Sequence, residues 1–65
     1  MNIQLNGRQV LTAASTLSEL LREQQIDAAC VATAFNGMFV PRTQYDSQRL
    51  EEGCQLEVLS PMQGG

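Results

Sequence analysis

Asn2-Ile3-Gln4-Leu5-Asn6-Gly7-Arg8-Gln9-Val10-Leu11-Thr12, followed after a short connection by Thr16-Leu17-Ser18-Glu19-Leu20-Leu21, decides how the rest of the chain must fold. Ile3 and Leu5 alternate with polar residues, so both lie on one face of an extended run. Asn6-Gly7 separates that run from Arg8 to Thr12. A two-residue type I′ turn needs φ > 0 at both central positions, and Asn-Gly meets that need most readily. The stretch therefore reads as a β-hairpin. Thr16 to Glu19 fits a capping box, in which the Thr16 hydroxyl accepts from the Glu19 amide and the Glu19 side chain reaches back. Leu17, Leu20 and Leu21 fall at i, i+3 and i+4, a helical stripe with Glu19, Arg22 and Glu23 pointing elsewhere. The spacing predicts a helix from Leu17 to about Gln25. With so few residues to bury, that helix needs a sheet to lie on.

The remainder supplies the sheet. Cys30-Val31-Ala32-Thr33-Ala34-Phe35 has no charge, and a second Asn-Gly at Asn36-Gly37 leads into Met38-Phe39-Val40, which Pro41 stops. This is a second hairpin, and its uncharged first run predicts a strand covered on both sides or lying centrally. Arg42 to Arg49 is polar and irregular, with Tyr45 as its one core-seeking residue. Leu50-Glu51-Glu52-Gly53 reads as a turn. Gln55-Leu56-Glu57-Val58-Leu59 then alternates, with Leu56 and Val58 inward. Hairpin, helix, hairpin, irregular crossover and last strand together predict an α+β fold: one helix on a four- to five-stranded mixed sheet, the β-grasp or ubiquitin-like arrangement. The expected division is a domain over residues 1–60 and a flexible tail over 61–65.

The tail holds Pro61, which brings no amide hydrogen to a ladder, then Met62 and Gln63, and ends in Gly64-Gly65. Without a Cβ, two glycines can be threaded into a narrow slot in extended or kinked form. Simple disorder is the other reading of such an end.

Composition narrows the functional classes. Seven acids against four arginines give a net charge of −3, with no basic stripe, so nucleic acid is not an expected partner. An acidic surface suits a basic face on another protein. There is no His and no Lys, which removes the side chain best placed for proton transfer near neutrality, the commonest metal ligand and the Schiff-base amine. Cys30 and Cys54 lack C-x-x-C spacing and read as small buried hydrophobes, so no metal site is expected. The first residues lack a signal-peptide pattern, and no run approaches the roughly 18 apolar residues of a membrane span. A reduced, cytoplasmic setting is expected, with no membrane partner. A 65-residue chain buries only about 60% of its unfolded surface, which leaves little room for a substrate cleft. The expectation is a non-enzyme with no catalytic residue of its own.

Asn36-Gly37-Met38-Phe39-Val40-Pro41-Arg42-Thr43-Gln44-Tyr45 is similar to an Asn-x-x-x-Val-Pro-Arg-x-x-aromatic stretch of the ThiS family, the sulfur carriers of thiamine biosynthesis. The resemblance covers nearly the whole chain, including the Leu-rich helix, the late Gly before an alternating strand and the terminal Gly64-Gly65. Gly53-Cys54 stands where the family usually has Gly-Asp, and Gln63 where it tends to carry a small or apolar residue. The resemblance implies that Gly65 is adenylated by an ATP-using, ubiquitin-activating-like adenylyltransferase (ThiF-like). A persulfide from a cysteine desulfurase or rhodanese-like donor then displaces AMP to leave a thiocarboxylate, whose sulfur passes to a thiazole synthase (ThiG-like). It implies no bound cofactor; ATP and the persulfide belong to partners. Gly64, Gln63 and Met62 would be read with the tail. Leu59, Arg42 and Phe39 are the candidate partner interface, although Leu59 can equally be core and Arg42 a solvated loop residue. A carrier for the molybdenum cofactor (like the molybdopterin-synthase small subunit) or for another pathway, a conjugated tag, and a plain interaction module stay open beside this reading.

Overall fold

Both Asn-Gly pairs turn as expected: Asn6 and Gly7 sit at φ 51° and 82°, Asn36 and Gly37 at 50° and 84°. The structure, a computed structural model, describes residues 1–60. Strands β1 (Asn2–Leu5) and β2 (Arg8–Leu11) form the first hairpin, followed by helix α1 (Leu17–Glu23) and a short 3-10 turn at Ala28–Cys30. Strands β3 (Ala32–Phe35) and β4 (Met38–Val40) form the second, a further 3-10 turn covers Arg42–Gln44, and β5 (Gln55–Leu59) closes the sheet. The strand order is β2-β1-β5-β3-β4. β5 pairs parallel with β1 and antiparallel with β3, which makes the sheet mixed, with one helix on it in the β-grasp arrangement.

Alternation sets one face of this sheet against α1. Ile3, Leu5, Leu56, Val58 and Val40 meet Leu17, Leu20 and Leu21, all buried in one cluster. Burying each such side chain contributes about 1.5–3 kcal/mol, so the leucine stripe is most of what holds the helix down. Tyr45 enters the same core at 3% exposure, and its hydroxyl donates to the Val31 carbonyl at 3.4 Å. Thr33, also buried, has a hydroxyl with no partner.

Several local details differ from the sequence reading, each for a physical reason. The helix stops at Glu23 rather than near Gln25. The Gln25 amide donates to the Arg22 carbonyl at 3.0 Å and the Ile26 amide to Leu21 at 2.8 Å, the paired bonds of a Schellman motif, with Gln25 in the left-handed region at φ 60°. The Thr16 hydroxyl accepts from the Glu19 amide at 3.3 Å as expected. The Glu19 carboxylate, however, accepts from the Ser15 amide at 2.8 Å and the Ser15 hydroxyl at 3.0 Å. Thr16 forms an isolated bridge with Arg49, flanked by the Leu50 amide donating to the Ser15 carbonyl at 2.9 Å. That bridge also draws Leu50, read as part of a turn, into the core.

The uncharged run after Asp27 does not start as strand. The Asp27 carboxylate accepts from the Ala29 amide at 3.0 Å and caps the 3-10 turn, so β3 begins only at Ala32. Cys54 is buried as expected, whereas this turn leaves Cys30 exposed. β3 is interior, between β5 and β4, and the central strand is β5. Thr12, at the end of the first hairpin, is buried; its hydroxyl accepts from the Ala14 amide at 3.0 Å and donates to the Glu23 carboxylate.

β5 is held from both sides by the turn asparagines. Asn6 accepts from the Val58 amide at 2.8 Å through Oδ1 and donates to the Val58 carbonyl at 3.2 Å through Nδ2. Asn36 Oδ1 accepts from the Gln55 amide at 2.8 Å, while its own amide donates to the Gln55 carbonyl at 2.7 Å. Asn6→Gly keeps the turn geometry but strips Val58 of its partners, and is expected to cost about 1–3 kcal/mol in urea unfolding. An unchanged midpoint would show that the clamp contributes nothing. The Ser15 hydrogen bonds hold the Glu19 carboxyl below its ordinary pKa. A lowered folded-state pKa contributes stability above the unfolded value and loses it as pH falls through the folded value. Wild type is thus expected to exceed Glu19→Gln in stability at neutral pH, with the gap closing in acid; thermal melts across that range check the trend.

Candidate functional site

The sheet face turned away from α1 is divided in two. Gln4, Gln9 and Gln55 make one half mainly carboxamide, since register places Gln4 opposite both Gln9 and Gln55, with exposed Leu11 opposite Asn2 at the end of β2. The other half is apolar. Ala34 lies between Phe39 on β4 and Glu57 on β5, and Ala32 lies opposite Leu59. The two alanines keep the floor low between larger neighbours. The result is a shallow groove of about 120 Å³ lined by Ala32, Thr33, Ala34, Phe39, Glu57 and Leu59. Phe39 is 70% and Leu59 65% exposed. Side chains of that size, grouped and left open, mark an interaction surface more than scattered surface hydrophobes do.

The groove sits where the chain leaves the domain. β5 ends at Leu59 opposite the start of β3, and β4 ends at Val40 opposite Thr33. The exit toward residue 61 and the Pro41-Arg42 corner therefore share one end of the sheet. Of the predicted interface residues, the structure brings Leu59 and Phe39 together on the groove. Leu59, for which a core place was open, is exposed. Arg42 is exposed at the same end but is not part of the groove lining; its Nη1 donates to the Ala29 carbonyl at 3.2 Å. Gly65, Gly64, Gln63 and Met62 lie outside the described residues.

Nothing in the groove titrates except Glu57, on its rim. Cys30 lies nearby in chain terms, two residues before β3, with Sγ 3.5 Å from an Asp27 carboxylate oxygen. Donation to that carboxylate pushes the Cys30 thiol above its ordinary pKa, which favours the thiol over the thiolate nucleophile. Among the described residues no group of three or more His, Cys, Asp or Glu could hold a metal ion. Among the same residues no helix is long and apolar enough to cross a membrane. Ala32, Ala34 and Glu57 were not singled out from sequence. Their common feature is a shared face, which only the pairing of three separate strands reveals.

Residues 3–65 match the model of the ThiS family, a span that takes in the whole groove and the terminal Gly64-Gly65. The chain belongs to the ThiS family. A crystal structure of the thiamine biosynthesis protein ThiS from Geobacter metallireducens is similar at a TM-score of 0.85 and 28% identity, covering 100% of both chains. A solution structure of a thiamine biosynthesis protein from the same organism is similar at a TM-score of 0.80 and 28% identity, covering 100% of this chain and 88% of that one. No curated protein sequence matches the chain. Family membership thus rests on the family match and on these two solved structures, which also carry the β-grasp assignment.

Proposed function

We propose that the chain is the sulfur carrier of thiamine biosynthesis, with the Gly65 carboxylate as its cargo site. The observation that carries this reading is a family match that runs through the diglycine end. A free carboxylate resists nucleophiles because resonance and negative charge both oppose attack. A ThiF-like enzyme joins the Gly65 carboxylate to the α-phosphorus of ATP and releases pyrophosphate. A persulfide sulfur then attacks the acyl carbon and AMP leaves. Reductive cleavage of the resulting acyl disulfide by a thiol frees the thiocarboxylate, which a ThiG-like thiazole synthase consumes. The persulfide originates from a cysteine desulfurase or rhodanese-like donor. In this cycle the carrier supplies position and no acid–base group, which accords with a chain lacking His and Lys. It is a co-substrate of partner enzymes, and no enzyme itself.

In the same reading the Phe39–Leu59 groove docks the activating enzyme. Its place at the end of β5 lets one contact surface aim the following residues, and Glu57 at the rim suits a basic residue on the partner. Arg42, at the same end, has guanidinium donors besides Nη1 for a partner carboxylate. Met62 and Gln63 carry the end from the groove toward the activating site, where Gly64 and Gly65 enter without a clashing Cβ.

The first test is the mass of the intact chain after incubation with ATP, cysteine, a cysteine desulfurase, a reducing thiol and a ThiF-like enzyme. Sulfur in place of one carboxylate oxygen is expected, mapped to the C-terminal peptide because Met oxidation adds nearly the same mass. A variant lacking Gly65 should gain nothing, and Gly64→Ala should lose most of the yield while melting at the wild-type temperature. No gain on the wild type, with enzymes shown active on another carrier, would sink the reading. For the docking surface, Phe39→Ser with Leu59→Ser is expected to weaken carrier binding by about tenfold or more, the scale of anchor residues at interfaces. Because both side chains are exposed, the same variant should unfold within a few degrees of wild type; intact binding would place the contact elsewhere.

A further inference from the structure

The two Asn-Gly turns are chemically alike but structurally unequal, and we infer that Asn36 is a site of spontaneous deamidation while Asn6 is protected by the fold. In an Asn-Gly sequence the following amide nitrogen can attack the side-chain carbonyl carbon, because glycine offers no Cβ to hinder the approach. The bond formed is Gly37 N to Asn36 Cγ. The bond broken is Cγ–Nδ2, whose nitrogen leaves as ammonia with the proton lost from the Gly37 amide. Water then opens the five-membered imide. Opening at Cγ yields aspartate; opening at the main-chain carbonyl yields isoaspartate, with the chain running through the β-carbon. No oxidant or reductant takes part.

What separates the sites is what each carboxamide must give up before it can turn toward the glycine nitrogen. Asn6 is held at both ends, by the Val58 amide at 2.8 Å and the Val58 carbonyl at 3.2 Å, in contacts that are partly buried. Its turn leads into β2, a four-residue edge strand paired with β1 along its whole length. Asn36 is held only through Oδ1, by the Gln55 amide at 2.8 Å, in an exposed contact. Its Nδ2, the leaving group, donates to no protein atom among the described residues. Its turn also leads into an edge strand, but β4 is one residue shorter than β2, and short edge elements open locally at low cost. One fewer hydrogen bond to break, together with easier opening, predicts faster reaction at Asn36.

The consequence reaches the groove. Isoaspartate at position 36 adds a main-chain carbon between β3 and β4, so Phe39 can no longer keep its register opposite Ala34. Ageing at this turn would therefore alter the Phe39–Leu59 surface without touching its side chains.

The test incubates the full chain at mildly alkaline pH and 37 °C and follows both turns by peptide mapping. Replacement of the amide nitrogen by oxygen is scored at each position, and isoaspartate is scored by methylation with an isoaspartyl carboxyl methyltransferase. A parallel sample in denaturing urea measures both sites without the fold. In urea the sites are expected to react at similar rates. In the folded chain Asn36 is expected to lead Asn6 by about three- to tenfold, the scale of one net hydrogen bond. Equal folded rates, a faster Asn6, or the same rate ratio in folded and denatured samples would overturn the inference. So would an Asn36 that stays intact in the folded chain while the denatured chain reacts.

Discussion

β5 is the strand on which the rest of the molecule depends, and two asparagine side chains let it be longer than its neighbours. In the parallel pairing with β1, the Asn6 amide donates to the Leu56 carbonyl at 2.8 Å. Were β1 to continue, the Asn6 carbonyl would accept from the Val58 amide. The chain turns at Asn6 instead, and Oδ1 takes that place. On the other flank, antiparallel pairing would set Asn36 against Gln55, and again Oδ1 accepts where the main-chain oxygen would have done. Each hairpin therefore spends the same residue twice, on a φ > 0 turn and on a mimic of one more strand residue. Asn is the residue suited to both, since it tolerates the left-handed region and carries an amide-like side chain. Without the mimicry, the partly buried main-chain groups of Val58 and the Gln55 amide would face the turn without a protein partner.

Holding β5 centrally fixes what each face can be. Leu56 and Val58 must point at α1, so Gln55, Glu57 and Leu59 must point away, because a strand has period two. The sheet thus has one committed face and one free one. A domain this small cannot cover both faces with a single seven-residue helix. The open face could have been uniformly polar. It is instead carboxamide toward the start of β5 and apolar toward its end, next to the exit of the chain. That asymmetry sets the Phe39–Leu59 groove apart from the rest of the solvent-facing sheet.

The features legible in the sequence were the local ones. Asn-Gly pairs, the Leu17/Leu20/Leu21 stripe and the alternation of residues 55–59 each report on a window shorter than one element, and the structure follows them. Where the reading slipped, a contact between distant segments decided. Thr16 is drawn against Arg49, thirty-three positions away by the difference of their numbers. Leu50 looked like part of a turn until that bridge pulled it inward. Cys30 looked buried because a free cysteine is most often a small buried hydrophobe, and the Asp27 cap that lifts it to the surface competes locally with strand. The groove was half visible: Phe39 and Leu59 were nameable as interface candidates, Leu59 with a core place still open, but Ala32 and Ala34 acquire meaning only when β3 lies between β4 and β5.

A second hollow on the described surface shows why the end of β5 is the better place to look for function. It has a volume of about 240 Å³ and is lined by Asn2, Ile3, Gln4, Gln9, Glu52 and Gly53, at the start of β5. That is below the roughly 300–1,000 Å³ of sites that enclose small molecules. Its one ionisable side chain, Glu52, accepts from the Asn2 amide at 3.1 Å and so helps close the hollow rather than standing free in it. At the other end of β5, Phe39, Leu59 and Glu57 stand around Ala32 and Ala34. A partner meeting this face would touch those three side chains first, because the two alanines lie low between them.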